Sequence, residues 1–194
     1  MRLRKFALVV AAVVLASGAS SGCSILSADD PEPKMHVNEA VKRVDAVLDD
    51  TFDAIRPKLK WRDGPAKISE GRNSFTNTAN GEVTVGRTRY VRTKVSKAKL
   101  TELVKAVAGH WRGAGFKVGE MRPAGPSFSA TAPDGCTIDF SVGGYDNISL
   151  SAGVGAISPG YGDEIEGEEG DKFPKAPNGG PDYAADVRDP YWSK

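Results

Sequence analysis

KAKLTELVKAVAGHWRGAGF, residues 97–116, is the stretch on which the fold class turns. Leu100, Leu103, Val104, Val107, Ala108 and Trp111 recur at intervals of three and four, the spacing that lines up side chains along one face of an α-helix. Ser96 stands where a capping hydroxyl belongs, and Gly113 and Gly115 close the segment, as helix ends favour. A helix with one apolar stripe must bury it against another layer. The residues that follow supply one. Alternating runs at Phe116–Met121, Ser127–Ala132, Cys136–Val142 and Ile148–Val154 are separated by Arg122-Pro123-Ala124-Gly125-Pro126, Pro133-Asp134-Gly135 and Gly143-Gly144-Tyr145-Asp146-Asn147. Short period-two runs joined by such turns predict an antiparallel meander.

Upstream, Val37, Val41, Val44, Leu48, Phe52 and Ile55 predict a helix from about Val37 to Ile55. Pro57 stops it, because proline lacks the amide hydrogen and clashes with the preceding turn. Asp45, Asp49, Asp50 and Asp53 fall off the stripe and are expected to face water. From Trp61 to Gly81 the signals are weak: Asp63-Gly64-Pro65 and Asn80-Gly81 mark turns, with one strand near Ile68 or Phe75. Glu82–Val95, rich in Val, Thr and Tyr, reads as a strand whose arginines put one face in water. The order predicts an α+β fold of two layers, two helices packed on one face of a mainly antiparallel sheet.

Arg2, Arg4 and Lys5 precede an apolar run from Phe6 to Ala16, and Ser17 to Gly22 lead to Cys23. Positive, apolar, then small is the order of an export signal; the run ends well short of the roughly 20 residues a spanning helix needs. Ser21-Gly22-Cys23 resembles the bacterial lipobox, in which small residues precede a cysteine that is acylated and becomes the mature N-terminus; Ser20 stands where that motif usually has an aliphatic residue. The resemblance implies a lipoprotein signal peptide over 1–22 and attachment to the outer face of the cell membrane through diacylglycerol and fatty acyl groups on Cys23. The alternative is an ordinary signal-peptidase cut nearby that releases a soluble protein. Residues 23–35 then form an acylated tether, 36–157 the α+β domain, and 158–194, dominated by Gly, Pro and acids, a disordered tail. Tyr191-Trp192 in that tail is either a short docking motif or an incidental exposed pair.

With two cysteines in the chain and Cys23 lipidated, Cys136 has no partner, so a disulfide scaffold is excluded. Its alternation with Ile138, Phe140 and Val142 makes it a small buried hydrophobe. The net charge of +1 hides a division: Arg87, Arg89, Arg92, Lys94, Lys97, Lys99, Lys105, Arg112, Lys117 and Arg122 dominate one stretch, whereas Asp163, Glu164, Glu166, Glu168, Glu169 and Asp171 form an uninterrupted acidic one. The division allows the tail to fold back on the basic region, or the basic region to face anionic lipids or wall polymers; a solvated face with a solubilising tail is the plainer reading. Nucleic acid is not an expected partner outside the cell.

No catalytic residue, metal site or cofactor is expected. His36 and His110 are the two histidines, and both read as surface residues. No Gly-x-Ser-x-Gly elbow stands between a strand and a helix, the one match to that pattern, Gly18 to Gly22, falling in the export signal; His-Glu-x-x-His and Cys-x-x-Cys are missing from the sequence, the acidic run lacks calcium-loop spacing, and Gly143-Gly144 joins two strands where a phosphate cradle needs a strand running into a helix.

Leu103, Val107, Trp111, Gly115 and Phe116, then Ala132-Pro133-Asp134-Gly135-Cys136 and a closing hairpin to Ile157-Ser158-Pro159, resemble a class of small actinomycete lipoproteins over Val37 to Pro159. Within it the chain is similar to the accessory lipoprotein of the cell-envelope-stress system, which accompanies a sigma factor and a two-component pair. Gly160 stands where many members have a cysteine, so no disulfide carries over. The resemblance implies a modulator that stabilises the envelope or contacts the extracellular domain of a sensor histidine kinase. The alternatives are a wall-polymer or lipid-binding module and an unrecognised wall hydrolase.

Overall fold

The computed structural model of the chain describes residues 35–72, 76–122, 125–144, 147–155, 157, 165 and 169–194. Its elements are α1 (Val37–Ala54), β1 (Trp61–Asp63), β2 (Lys67–Arg72), β3 (Ala79–Val91), α2 (Lys97–Gly113), β4 (Lys117–Val118), β5 (Phe128–Thr131), β6 (Thr137–Val142) and β7 (Ile148–Val154). The seven strands form one sheet in the order β1-β3-β7-β6-β5-β4, with β2 also on β3, and every pairing between them is antiparallel. The two helices cover one face, giving the two-layer α+β arrangement that the periodicities predict.

The C-terminal helix starts where its cap requires: the Ser96 hydroxyl accepts the Lys99 amide at 3.3 Å. It ends at Gly113, and Gly115 takes a left-handed φ of 83°, which glycine adopts without a Cβ penalty. Leu103, Val104, Val107, Ala108 and Trp111 are buried on its inner side. Trp111 is the pin of the fold. Its indole N–H donates to Thr51 Oγ1 at 3.0 Å, while that hydroxyl donates to Val47 O, so the bond between the helices leaves no polar group unpaired. Its ring leans on Phe128, which stacks on Phe140, carrying the contact across β5 and β6. The long strand β3 is the seam: β1 and β2 lie along one edge, and β7 returns from the meander to pair with the other, Val85 opposite Val154 and Tyr90 opposite Ser149.

Two expectations change. A strand near Ile68 is present as β2, whereas Phe75 lies outside the described residues; the short β1 had no sequence signal, because three residues carry no period. The second change is larger. From Glu169 onward the segment forms no helix or strand, yet it does not merely sit in solvent: Trp192 is 1% exposed and belongs to the core, with Tyr191 packed against it. The expectation that a Gly/Pro-rich tail has nothing to bury is therefore corrected for residues 169–194. Tyr191-Trp192 is thus not an incidental exposed pair: it packs against the core of its own chain. Residues 158–164 and 166–168 lie outside the described part.

Candidate functional site

Side chains alternate across a strand, and on β3 that rule separates two environments. Val83, Val85, Arg87, Arg89 and Val91 are all buried on the inner side; Thr84, Thr88, Tyr90 and Arg92 alternate with them on the outer side. The arginines expected in water at 87 and 89 are thus inside, 7% and 3% exposed. Their compensation comes from residues also expected to face water. Arg87 Nε stands 2.8 Å from Asp45 Oδ1, charges in contact although the geometry is not that of a hydrogen bond, and its Nη1 donates to Gly64 O. Arg89 donates to Asp49 and to Asp63, both at 2.7 Å, and its guanidinium lies 4.0 Å from the centre of the Trp61 ring. Burial pushes the Asp45 carboxyl above the usual range, with Arg87 pulling the other way. A slip of α1 along β3 would strand a buried guanidinium without its carboxylate, at a cost of several kcal/mol.

The loop that supplies Asp63 also receives the C-terminal segment. Asp171 N donates to Asp63 O, and Asp63 N donates to Asp171 Oδ2, both at 2.8 Å. Gly170 has φ of 63° and sits so close that a Cβ there would lie 2.6 Å from the Gly64 carbonyl carbon. From this clasp the segment runs as a strap. Phe173 and Tyr183 gather on Tyr90, the two tyrosine rings stacked with centroids 4.1 Å apart. Asp186 receives a two-pronged bond from Arg92 at 2.9 Å, with Arg62 at 3.5 Å, and Arg92 holds its carboxyl below the usual range. Val187 bridges Thr93, accepting from Lys94 N. Asp189 accepts the Tyr191 and Trp192 amides, which hold its carboxyl low, and the Trp192 indole donates to Pro57 O at 2.9 Å. Tyr191 donates to Glu102, and Lys99 lies over its ring.

Strap and sheet together frame a groove of about 230 Å³ on the face opposite the helices. Lys67, Ser69, Thr84, Thr88, Tyr90 and Ser151 line it from the sheet, and Tyr183 from the strap. An adjoining depression of about 400 Å³ shares Pro65 and Tyr183 with it and is otherwise formed by strap residues, Glu169, Phe173 and Lys175 among them. What such a surface can do is bind: it offers hydroxyls that donate and accept, one ammonium and aromatic rings.

The other sequence candidates fall as follows. Cys23 lies outside the described residues, as do Asp163, Glu164, Glu166 and Glu168. Cys136 is buried and its thiol is pushed up by that burial. His36 is exposed at the start of α1, and His110 Nε2 is 2.7 Å from Asp50 Oδ2, linking the helices. The basic stretch forms no single surface, since Arg87 and Arg89 are interior and Arg92 is occupied by the strap. The end of the tail packs on this stretch through Asp186 on Arg92 and Tyr191 on Glu102, whereas most of the acidic run expected to draw it there lies outside the described residues. Among the described residues no group of three or more His, Cys, Asp and Glu could hold a metal ion, and no helix is long and apolar enough to cross a membrane. Sequence reasoning missed Lys67, Tyr90 and Tyr183. The aromatics Phe173, Tyr183, Tyr191 and Trp192, spaced through a segment otherwise poor in apolar residues, were the available signal. Comparison of the chain with protein-family models, with curated proteins and with solved structures finds no match.

Proposed function

We propose that this chain is an extracytoplasmic lipoprotein, held to the outer face of the cell membrane through acyl groups on Cys23, that modulates a cell-envelope-stress response by binding and not by catalysis. The observation that carries the reading is the run from Arg2 to Cys23, positive, apolar and small, ending on a cysteine. Each acyl methylene buried contributes about 0.8 kcal/mol, so several chains hold where one would exchange. The modulatory role, by stabilising the envelope or by contact with a sensor kinase's extracellular domain, rests on the resemblance of Leu103, Val107, Trp111 and Gly115 and the closing hairpin to small actinomycete lipoproteins. Cys23→Ala is expected to move the chain from the membrane fraction to the soluble one; retention in the membrane would end the anchor reading. Deletion of the gene is expected to raise stress-regulon transcripts without any added antibiotic, and an unchanged profile would remove the modulatory role. One observation favours a second reading, a wall-polymer-binding module: the groove beside Tyr183 is lined by hydroxyls and aromatic rings.

A further inference from the structure

We infer that the groove between the sheet and the strap is a glycan site, which takes one segment of an unbranched, uncharged pyranose polymer. The inference deepens the wall-polymer reading and rests on it only for the source of the polymer, not for the site. Three properties of the surface carry it.

The first is the kind of polar group. Thr84, Thr88 and Ser151 project from neighbouring strands, and Ser69 and Lys67 from β2, onto one floor. Thr88 and Ser151 hold each other at 2.8 Å, and each hydroxyl keeps further capacity, since one such group donates once and accepts twice. A sugar ring needs this mixture, because its own hydroxyls both donate and accept. The second property is the aromatic wall. Tyr183 is 36% exposed while its ring is braced by Tyr90 and Phe173, so it is held in place with surface to spare. The axial C–H bonds of a pyranose carry partial positive charge and sit on the negative face of such a ring.

The third is charge and shape. Across the two depressions the charged side chains are Lys67 and Lys175 against Glu169 and Asp171, apart from the interior Arg87. They cancel, so neither a polyanion nor a polycation is complemented, whereas an uncharged, hydroxyl-rich chain is. The groove alone is smaller than the roughly 300–1,000 Å³ of a drug-sized site, but the second depression adjoins it, with Pro65 and Tyr183 lining both. That is a track for consecutive rings of a polymer, not a closed chamber for one compact molecule.

Because the strap supplies one wall, ligand and strap are coupled. Anything that binds only the strapped form stabilises it by mass action, and release of the strap at Trp192, whose indole is bonded to Pro57 and which does not line the groove, must weaken binding.

The test is titration of the full chain, purified in detergent micelles, with the hexasaccharides of β-1,4-N-acetylglucosamine and of α-1,4-glucose, read by calorimetry. The expected result is saturable binding of one of them, weakened about tenfold or more by Tyr183→Ala and by Lys67→Ala while the thermal melt of Lys67→Ala stays at the parent value, and weakened likewise by Trp192→Ala. The exposed Lys67 variant guards against misfolding as the cause. Absence of binding to either sugar at millimolar concentration overturns the inference, as does binding that Tyr183→Ala and Lys67→Ala both leave unchanged. Hexasaccharide binding without sedimentation on purified peptidoglycan at low salt would sink the wall-polymer reading and leave the glycan site standing.

Discussion

Trp111 and Trp192 are buried to nearly the same degree, 0% and 1% exposed, and each has its indole N–H bonded, to Thr51 Oγ1 and to Pro57 O. They differ in what brings them inside. Trp111 arrives on a helix whose stripe would bury it whatever its neighbours did in detail. Trp192 arrives at the end of a strap that forms no helix or strand of its own, held at scattered points: Asp171 on Asp63, Asp186 on Arg92, Val187 on Thr93. The same side-chain burial can therefore belong to the cooperative core or to a segment that opens by itself, because local stability follows the density of contacts around a segment.

The larger loss belongs to the helix tryptophan. Trp111→Ala is expected to cost about 4 kcal/mol, the range for a large aromatic removed from a packed core, and chemical denaturation should show the whole domain destabilised. Trp192→Ala is expected to cost somewhat less, about 3 kcal/mol, and in a different place. Hydrogen exchange should rise across residues 169–194 while the amides of the C-terminal helix remain protected; equal loss of protection in both would mean that strap and core unfold as one unit.

Gly170→Ala sharpens the distinction at the strap's other end. A left-handed residue with a Cβ costs about 1–2 kcal/mol, and here the Cβ would meet the backbone of Gly64, so a loss of about 2 kcal/mol is expected, confined again to the strap by proteolysis. Acid is expected to give the smallest effect. The carboxyls of Asp186, beside Arg92, and Asp189, under two amides, are held below the usual range. For a depressed carboxyl the stabilisation is complete above the unfolded value of about 3.9 and is lost as pH falls through the folded one. The strap should thus loosen only below about pH 4, seen as movement of the Trp192 indole resonance ahead of that of Trp111; no such separation between the two resonances would place both tryptophans in one unit.

The β3 arginines show where legibility ends. Val83, Val85 and Val91 share parity with Arg87 and Arg89, so the alternation already placed all five on one face. It could not say that the face was covered, nor that Asp45, Asp49 and Asp63 would meet the arginines there, because those partners come from α1 and β1. Reading the arginines as wet followed residue type where parity was the better guide.

By itself the sequence determined both helices, the meander from Phe128 to Val154 and the layer they form, since each depends on a period of 3.6 or 2 within one short segment. Only the tertiary structure decided which face of β3 is interior, that the last residues form a strap, and that strap and sheet enclose a groove. Those features rest on pairs such as Arg92 with Asp186 and Pro57 with Trp192, far apart along the chain, and contacts of that kind leave no local period to read.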